Sequence, residues 1–498
     1  MRIPTLLLSV MVYAPLTAGA ETFLVNKTAD DGSRHTLRWA ILQNNAHPGG
    51  HRIQIVPTGS PAVPWVIQLN SILPPIEGPA TVVGLKRQRG QSDSPDVIID
   101  GANFVDGNNQ QSCPGTGGGF GINTRNLNGA ALSVVDSGNV EISGLEIRNV
   151  CTGIMLLRAH DNHIHHNVIH NTAGAAGIAV TGDAGDAGGS ATTGLSIFNL
   201  IEYNLIYETG DGLECTRGTS FTTYQYNTLY DLRDRGNSAP YSQGIECAGN
   251  GNDHITLRYN AFTGFSDGMQ LNSATNVLAE GNTITGSTFG ITSTAGGSAV
   301  IRNNVIKGGR MGVGPNARSR YTITENSIYD NGHPLLSLAG SAGGTTDPNS
   351  PTLLGIDVQS NGRTPNDLAV NCADGLPDCD TIQNPGMQNF PVLATDSSWN
   401  STGIALRGNL LSRPNQTFTI EFFANHAPNA AGKVEGERFL GSTQVTTDAS
   451  SGAAVFAFNV PTGDPLGDGT ATAYFTATAT SALSGATSEF SDALMLAK

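Results

Sequence analysis

Lysine is almost missing from this chain. It occurs only at Lys27, Lys86, Lys307, Lys433 and Lys498, so none lies between positions 87 and 306. Chemistry in the middle of the molecule that needs a strong cationic base must therefore use arginine. Basic residues are few overall, 26 Lys and Arg against 41 Asp and Glu, for a net charge of −15. That balance argues against nucleic acid, which needs a basic patch. It also disfavours unaided binding of a polyanion, for which cations such as Ca²⁺ would have to bridge. Aromatics make up 6% and charged residues 13%, against 62 glycines. This composition suits an extracellular all-β protein. No Cys-x-x-Cys metal spacing occurs, and outside the first twenty residues no apolar run approaches the roughly 20 residues a membrane span needs.

Residues 1–20 have the form of a signal peptide: Arg2, an apolar core over 6–12, and Ala18-Gly19-Ala20 as a small-residue cleavage site. The expectation is export to the periplasm, the cell surface or beyond, without membrane insertion. Six cysteines fit that route. Cys372 and Cys379 lie close together in a loop-like stretch and are a disulfide candidate. Cys215 and Cys247 occupy equivalent repeat positions, as a bridge or as two buried thiols. Cys113 and Cys151 remain to pair.

Two ladders organise the middle of the chain. One is Asn167, Asn204, Asn227, Asn260, Asn282, Asn304 and Asn326, the last four spaced by 22 residues. The other is Gly153, Gly177, Gly212, Gly244, Gly268, Gly290 and Gly312, each opening a short apolar-alternating strand. A period of about 20–25 residues built from strands means a solenoid. The unit is too short for a βαβ repeat or a propeller blade. The predicted fold is all-β: a right-handed parallel β-helix over 51–344, preceded by an N-terminal cap over 21–50. Within the cap, Thr36 to Ile41 has an apolar face at helical spacing. A loop-rich cover over 345–392 and a small antiparallel, Ig-like β-sandwich over 393–498 follow.

The ladders resemble the bacterial exported right-handed parallel β-helix repeat proteins of the pectate lyase-like fold. Thr36 to Ile41 is similar to a cap motif of one large exported subgroup. So are Gln388-Asn389-Phe390-Pro391-Val392-Leu393 and Ser488-Glu489-Phe490-Ser491. The resemblance implies the fold strongly and the activity weakly, because this fold hosts lyases, hydrolases, epimerases and adhesins.

Two irregularities mark where function is expected. The Gly-to-Asn spacing is 14 in four rungs but 27 from Gly177, an insertion of about thirteen residues near 181–196. The Asn-to-Gly spacing is 8 in four places but 17 from Asn227 to Gly244, about nine extra residues within 230–243. Insertions in a solenoid tend to fall on one binding face. Between them Glu214 and Glu246 share one outward position in successive rungs, with Gln270 next, and Asp211 and Asp267 just precede their strands. Rungs stack about 4.8 Å apart, so such carboxylates repel, and a shared proton, a bound cation or, on a solvated acidic face, nearby arginines would relieve them.

The leading expectation is an exported polysaccharide-cleaving enzyme, most simply a glycoside hydrolase. Glu214 and Glu246 would be its catalytic pair, tuned by Asp211 and Asp267. Arg217, Arg235, Arg258, Gln270 and Tyr241 would bind substrate. Gly210 to Glu214 also resembles the acidic calcium strand of some pectate lyases, with Glu in place of Asp and no central lysine. That resemblance implies an alternative: a Ca²⁺-dependent lyase or C5-epimerase of a uronan, the cation on Asp211, Glu214 and Glu246. A third reading is a non-catalytic adhesin. His160, His163, His165, His166 and His170 form a cluster two or more rungs earlier, with a His163/His165 spacing that could hold a metal. Tyr203, Tyr226 and Tyr259 precede successive ladder asparagines and are expected to stack, as edge packing or as a sugar platform.

Overall fold

The computed structural model describes residues 19–47, 49–60, 63–86, 95–105, 113, 129–182, 194–233, 242–333, 353–367, 384–461 and 463–498. The signal-like segment through residue 18, most of both insertions, Arg235, Tyr241, Cys372 and Cys379 lie outside them.

The chain winds as a right-handed parallel β-helix and ends in two antiparallel sheets. Its N-terminus is closed by the helix Leu37–Ala46, between the parallel strands Thr22–Val25 and His51–Ile55. Thr36 caps that helix by accepting from the Trp39 amide, and Leu37, Ala40 and Ile41 seal the first rung.

Each regular turn then contributes three strands. Face one holds the glycine-led strands, among them Thr152–Leu157, the second half of Leu205–Thr216, Gln243–Ala248, Asp267–Leu271, Phe289–Thr292 and Met311–Gly314. Face two runs through His163–His165, Leu200–Glu202, Thr223–Gln225 and Thr256–Arg258 to Arg320–Thr324. Face three includes Thr228–Tyr230, Ala261–Thr263 and Thr283–Thr285.

The asparagines make the corner between faces two and three. Each is buried, and from Asn204 onward its Oδ1 accepts both the backbone N–H and the side-chain Nδ2–H of the asparagine one rung earlier, while Asn167 Oδ1 accepts from the Leu145 amide. For Asn227 receiving from Asn204, both distances are 3.0 Å. Its own Nδ2 donates to Ile201 O at 3.0 Å and to Asn260 Oδ1 at 3.0 Å. A buried turn would otherwise strand these backbone groups. The glycine ladder has a steric cause. A Cβ at Gly244 would lie 2.4 Å from Gly268 O and 2.4 Å from Phe262 Cδ1, so face one can approach the core only with hydrogen at that position.

The residues beside the asparagines stack in columns. Tyr203, Tyr226 and Tyr259 lie face to face, with centroids 5.1 and 5.3 Å apart, and His166 continues the column at 5.2 Å. All four have positive φ, which bulky residues avoid, and stacking offsets that cost. Their ring faces cover one another and mainly edges meet solvent. The expected stack is present, and its rings remain partly exposed.

Beyond Ser327–Tyr329 the strands turn antiparallel. One sheet contains Gly403–Leu411 and Ala453–Val460, the other Thr417–Asn425, Arg438–Thr446 and Thr472–Ser481. They enclose a separate core of Trp399, Leu406, Phe418, Phe422 and Phe475. Cys113–Cys151 and Cys215–Cys247 are disulfides.

The sandwich seals the last rung with buried glutamates. Glu421 accepts from the Glu325 amide, Glu435 from that of Asn331, and Glu489 from those of Val358 and Thr364. Burial pushes the Glu435 carboxyl up to about 7. Burial and the neighbouring Asp357 charge push Glu489 up to about 8. Burial raises Glu421 as well. Folded values above the ordinary 4.5 mean that these groups take up protons on docking. Their stabilisation is complete below about pH 4.5 and is lost as pH rises through about 7 and 8. The thermal midpoint of the sandwich should be lower at about pH 8.5 than at about pH 5.5, and Glu435→Gln should flatten the difference. A midpoint that climbs over this window would show the glutamates to be held ionised.

Candidate active site

Face one carries two outward rows of side chains. The first runs Ala176, Asp211, Gln243, Asp267, Phe289, Met311, and the second Met155, Ala179, Glu214, Glu246, Gln270, Thr292, Gly314, both set by strand register. Their apolar members cluster apart from the β-helix core: Ala130, Met155, Leu157, Ala176 and Ala179 at one end, Phe289 and Met311 at the other. The rows thus form a polar window of three rungs framed by apolar rungs on each side. Although these side chains point away from the helix axis, most are buried. Glu214 is 0% exposed, Asp267 2% and Gln243 3%.

Within the window three carboxylates converge. Oxygens of Asp211, Glu214 and Glu246 all lie within 4.8 Å of one another. Register pairs Glu214 with Glu246 across the strands; Asp211, three residues before Glu214, would face the other way in a regular strand, and comes to the same side past Gly212, which breaks the pairing there. Concentrated like charge is relieved by a shared proton or a bound cation. An all-oxygen donor set suits a hard divalent ion such as Ca²⁺ or Mg²⁺. Asp267, one rung beyond, accepts a hydrogen bond from Thr292 Oγ1 at 2.7 Å. Gln270 faces the same side and accepts from Asn272 Nδ2 at 2.6 Å.

The arginines disperse. Arg217 closes the end of the Glu214 strand, half-buried, its Cγ 3.0 Å from where a Cβ on Gly249 would sit. It follows the Glu214 strand directly in sequence. Arg258 lies on face two, donating to Gln225 Oε1 at 2.7 Å, and does not join the cluster. Arg233 pairs with Asp231 and donates to Thr209 O, at the opposite end of the strand.

The histidines also sit elsewhere. His163 and His165 are on face two, and each binds a separate carboxylate, Glu202 at 2.9 Å and Glu141 at 3.2 Å. Burial, then the His163 charge, lowers the His165 pKa. His170 stacks on Tyr207 and meets Glu146 on face three. Among the described residues, the grouping suited to a metal is the carboxylate one.

Sequence reasoning left several neighbours out of the candidate site. Gln243 presents a buried amide nitrogen with no hydrogen-bond acceptor among the described residues, a donor placed between Asp211 and Asp267. Its in-register position was visible, but its burial was not. Phe289 and Thr292, with Ser293, Thr294 and Ser360, line a recess beside Asp267 and Gln270. Ser360 carries no periodic signal at all.

Comparison with known proteins gives one full-length relative. The chain is 31% identical over 484 residues to a 3-dehydroshikimate dehydratase of Acinetobacter baylyi, a match covering 90% of this chain and 92% of that one. The family described as right handed beta helix region matches residues 243–350. Among solved structures, the mannuronan C-5 epimerase A-module of Azotobacter vinelandii aligns at TM-score 0.43 and 12% identity, over 65% of this chain and 74% of its own. An exopolygalacturonase of Thermotoga maritima aligns at TM-score 0.36 and 12% identity, over 57% and 75%. At such scores these structures bear on neither substrate nor chemistry.

Proposed function

The chain belongs to the β-helix family of the Acinetobacter baylyi 3-dehydroshikimate dehydratase, and from that membership we propose that it is an exported carbon–oxygen lyase. It would eliminate water from a small, ring-shaped hydroxy-keto carboxylate. The observation that carries this reading is the meeting of Asp211, Glu214 and Glu246 in a buried polar window, within a chain matching that relative over nine-tenths of its length. Export fits the two disulfides, which persist in oxidising compartments.

The chemistry follows from the substrate. In 3-dehydroshikimate the ketone acidifies the hydrogen on the neighbouring carbinol carbon, and the hydroxyl on the next carbon is the leaving group. A base takes that hydrogen as a proton. The electron pair forms the new carbon–carbon double bond, and the hydroxyl departs as water after receiving a proton. Enolisation then yields an aromatic dihydroxybenzoate. Glu246, half-buried at the mouth of the window, suits the base. Glu214, fully buried beside it, suits the group that holds a proton for the leaving hydroxyl. The Gln243 amide, which has no acceptor among the described residues, would donate to a substrate oxygen, and Arg217 would meet the carboxylate. Held by Asp211, Glu214 and Glu246, a divalent cation would supply Lewis-acid stabilisation of a carbonyl oxygen. This reading moves the candidate carboxylates from hydrolysis to elimination, the chemical class of the lyase alternative, on a small molecule.

A second reading keeps glycan cleavage. The in-register pair Glu214 and Glu246 is favourable to it, because retaining glycosidases hold two carboxyls about 5–5.5 Å apart.

One assay separates them. The full chain is incubated with 3-dehydroshikimate and, separately, with neutral and acidic polysaccharides, each with and without EDTA. The expected result is ultraviolet absorbance of the aromatic product and no new reducing ends. Loss of turnover with EDTA assigns the cluster to a cation, and EDTA-resistant turnover assigns it to a shared proton. New reducing ends without aromatic product would move the chain to the second reading, and silence in both arms would sink both.

A further inference from the structure

The recess beside Asp267 and Gln270 is closed on one side by Ser360, a residue outside both ladders. Its way in is left by a missing side chain. Position 314 continues the row Glu214, Glu246, Gln270, Thr292, yet it is glycine, and a Cβ there would lie 2.3 Å from Met311 Cε and 2.7 Å from Ser360 Oγ, so both side chains use the room its absence leaves. Ser360 stands at the end of the row that carries the candidate acid–base groups.

The segment that delivers it is held rather than relaxed. Asp357 N donates to Val313 O at 2.9 Å and Gln359 N to Pro315 O at 2.8 Å, so the segment lies along the last face-one strand. Gln359 and Ser360 then take φ values of 67° and 52°, a left-handed pair of non-glycine residues that surrounding contacts must maintain. Two buried carboxyls supply those contacts. Asp357 Oδ1 accepts from the amides of Asn361 at 3.0 Å and Gly362 at 3.1 Å, closing the turn from inside. Glu489, from the C-terminal sandwich, spans the turn from outside. Its Oε1 accepts from Val358 N at 3.1 Å and its Oε2 from Thr364 N at 3.0 Å.

We infer that Glu489 is a positioning residue that sets Ser360 at the recess to hydrogen-bond a polar substituent of the substrate, the recess of about 30 Å³ admitting that substituent and not the ring. The C-terminal sandwich is then part of the catalytic unit rather than an appended binding module. The identity of the ligand, a hydroxylated cyclic carboxylate, rests on the elimination reading above. The placement of Ser360 does not.

The test uses the full chain and the variants Ser360→Ala, Glu489→Ala, Glu489→Gln and the Ser360→Ala/Glu489→Ala double. Ser360→Ala should raise KM for 3-dehydroshikimate about tenfold with kcat within about twofold, the loss of one hydrogen bond to a charged or strongly polar group. Glu489→Ala should do the same and speed deuterium exchange at the Val358 and Thr364 amides. Glu489→Gln, which keeps one acceptor, should recover part of both. Acting through Ser360, Glu489→Ala should add nothing to KM in the Ser360→Ala background. An unchanged KM for Ser360→Ala, or a further rise in the double variant, overturns the inference. If the unmodified chain fails to turn over 3-dehydroshikimate, the elimination reading falls. Exchange then decides the clasp by itself: full protection of Val358 and Thr364 in Glu489→Ala overturns it, and accelerated exchange upholds it.

Discussion

Replacing Glu246 by glutamine lowers kcat for 3-dehydroshikimate by about a thousandfold, in the middle of the range for removing a positioned general base. The amide has nearly the carboxylate's shape, so the face-one pairing of Gln243–Ala248 persists and melting changes little. One ionisable oxygen pair disappears from a group of three lying within 4.8 Å of one another. If the cluster holds a cation, the same change weakens its binding, and added Ca²⁺ or Mg²⁺ recovers part of the rate. If the cluster shares a proton, added cation recovers nothing. Glu246→Gln with full activity would remove the window from consideration as the reacting centre. The side chain's partial exposure makes it the better choice than Glu214, whose complete burial confounds catalytic loss with local repacking.

The largest stability effect is expected at the corner ladder. Asn227→Ala should cost about 4 kcal/mol, because it strands several buried polar groups at once at about 1–3 kcal/mol each. The Asn204 backbone N–H and the Ile201 carbonyl lose their partners at 3.0 Å, and Asn204 Nδ2 loses one of three acceptors. The neighbouring Tyr226→Ala removes two stacking contacts from a column whose rings are partly in solvent, and should cost only about 1 kcal/mol. Urea unfolding of the two variants side by side is the measurement. Equal midpoints would mean that the aromatic column, not the asparagine ladder, carries the corner.

Much of the fold was legible because a solenoid repeats its physics. The asparagine and glycine ladders encode a hydrogen-bonded corner and a close strand approach, and both requirements recur with every turn. The capping helix was legible from Thr36 followed by apolar spacing. The stacking of Cys215 on Cys247 followed from equivalent repeat positions in the same way, and the structure decided for a bridge over two buried thiols. The site was legible in part. Register pairs Glu214 with Glu246, and spacing alone located the rungs between two insertions, but that Asp211 turns to the same side is seen only in the structure. Arg258 was misleading for a physical reason: nearness in sequence to the site rungs does not tell which of three faces a strand occupies. Its position in the turn, between the Tyr224 and Asn260 equivalents, places it on face two.

The sequence by itself determined the rung: its length, its inward and outward positions, its asparagine corner, and so the cross-strand neighbours of any residue within the repeat. It could do so because these contacts are made between equivalent positions and are written into the period. Only the tertiary structure decided what is buried on the outward face, and that Met311 and Ser360 share the space left by Gly314. It alone showed that Glu489 reaches back 131 residues to hold the Ser360 turn. Such contacts join a repeat to a segment without one. They depend on how the sandwich docks against the end of the helix, and no spacing along the chain records that.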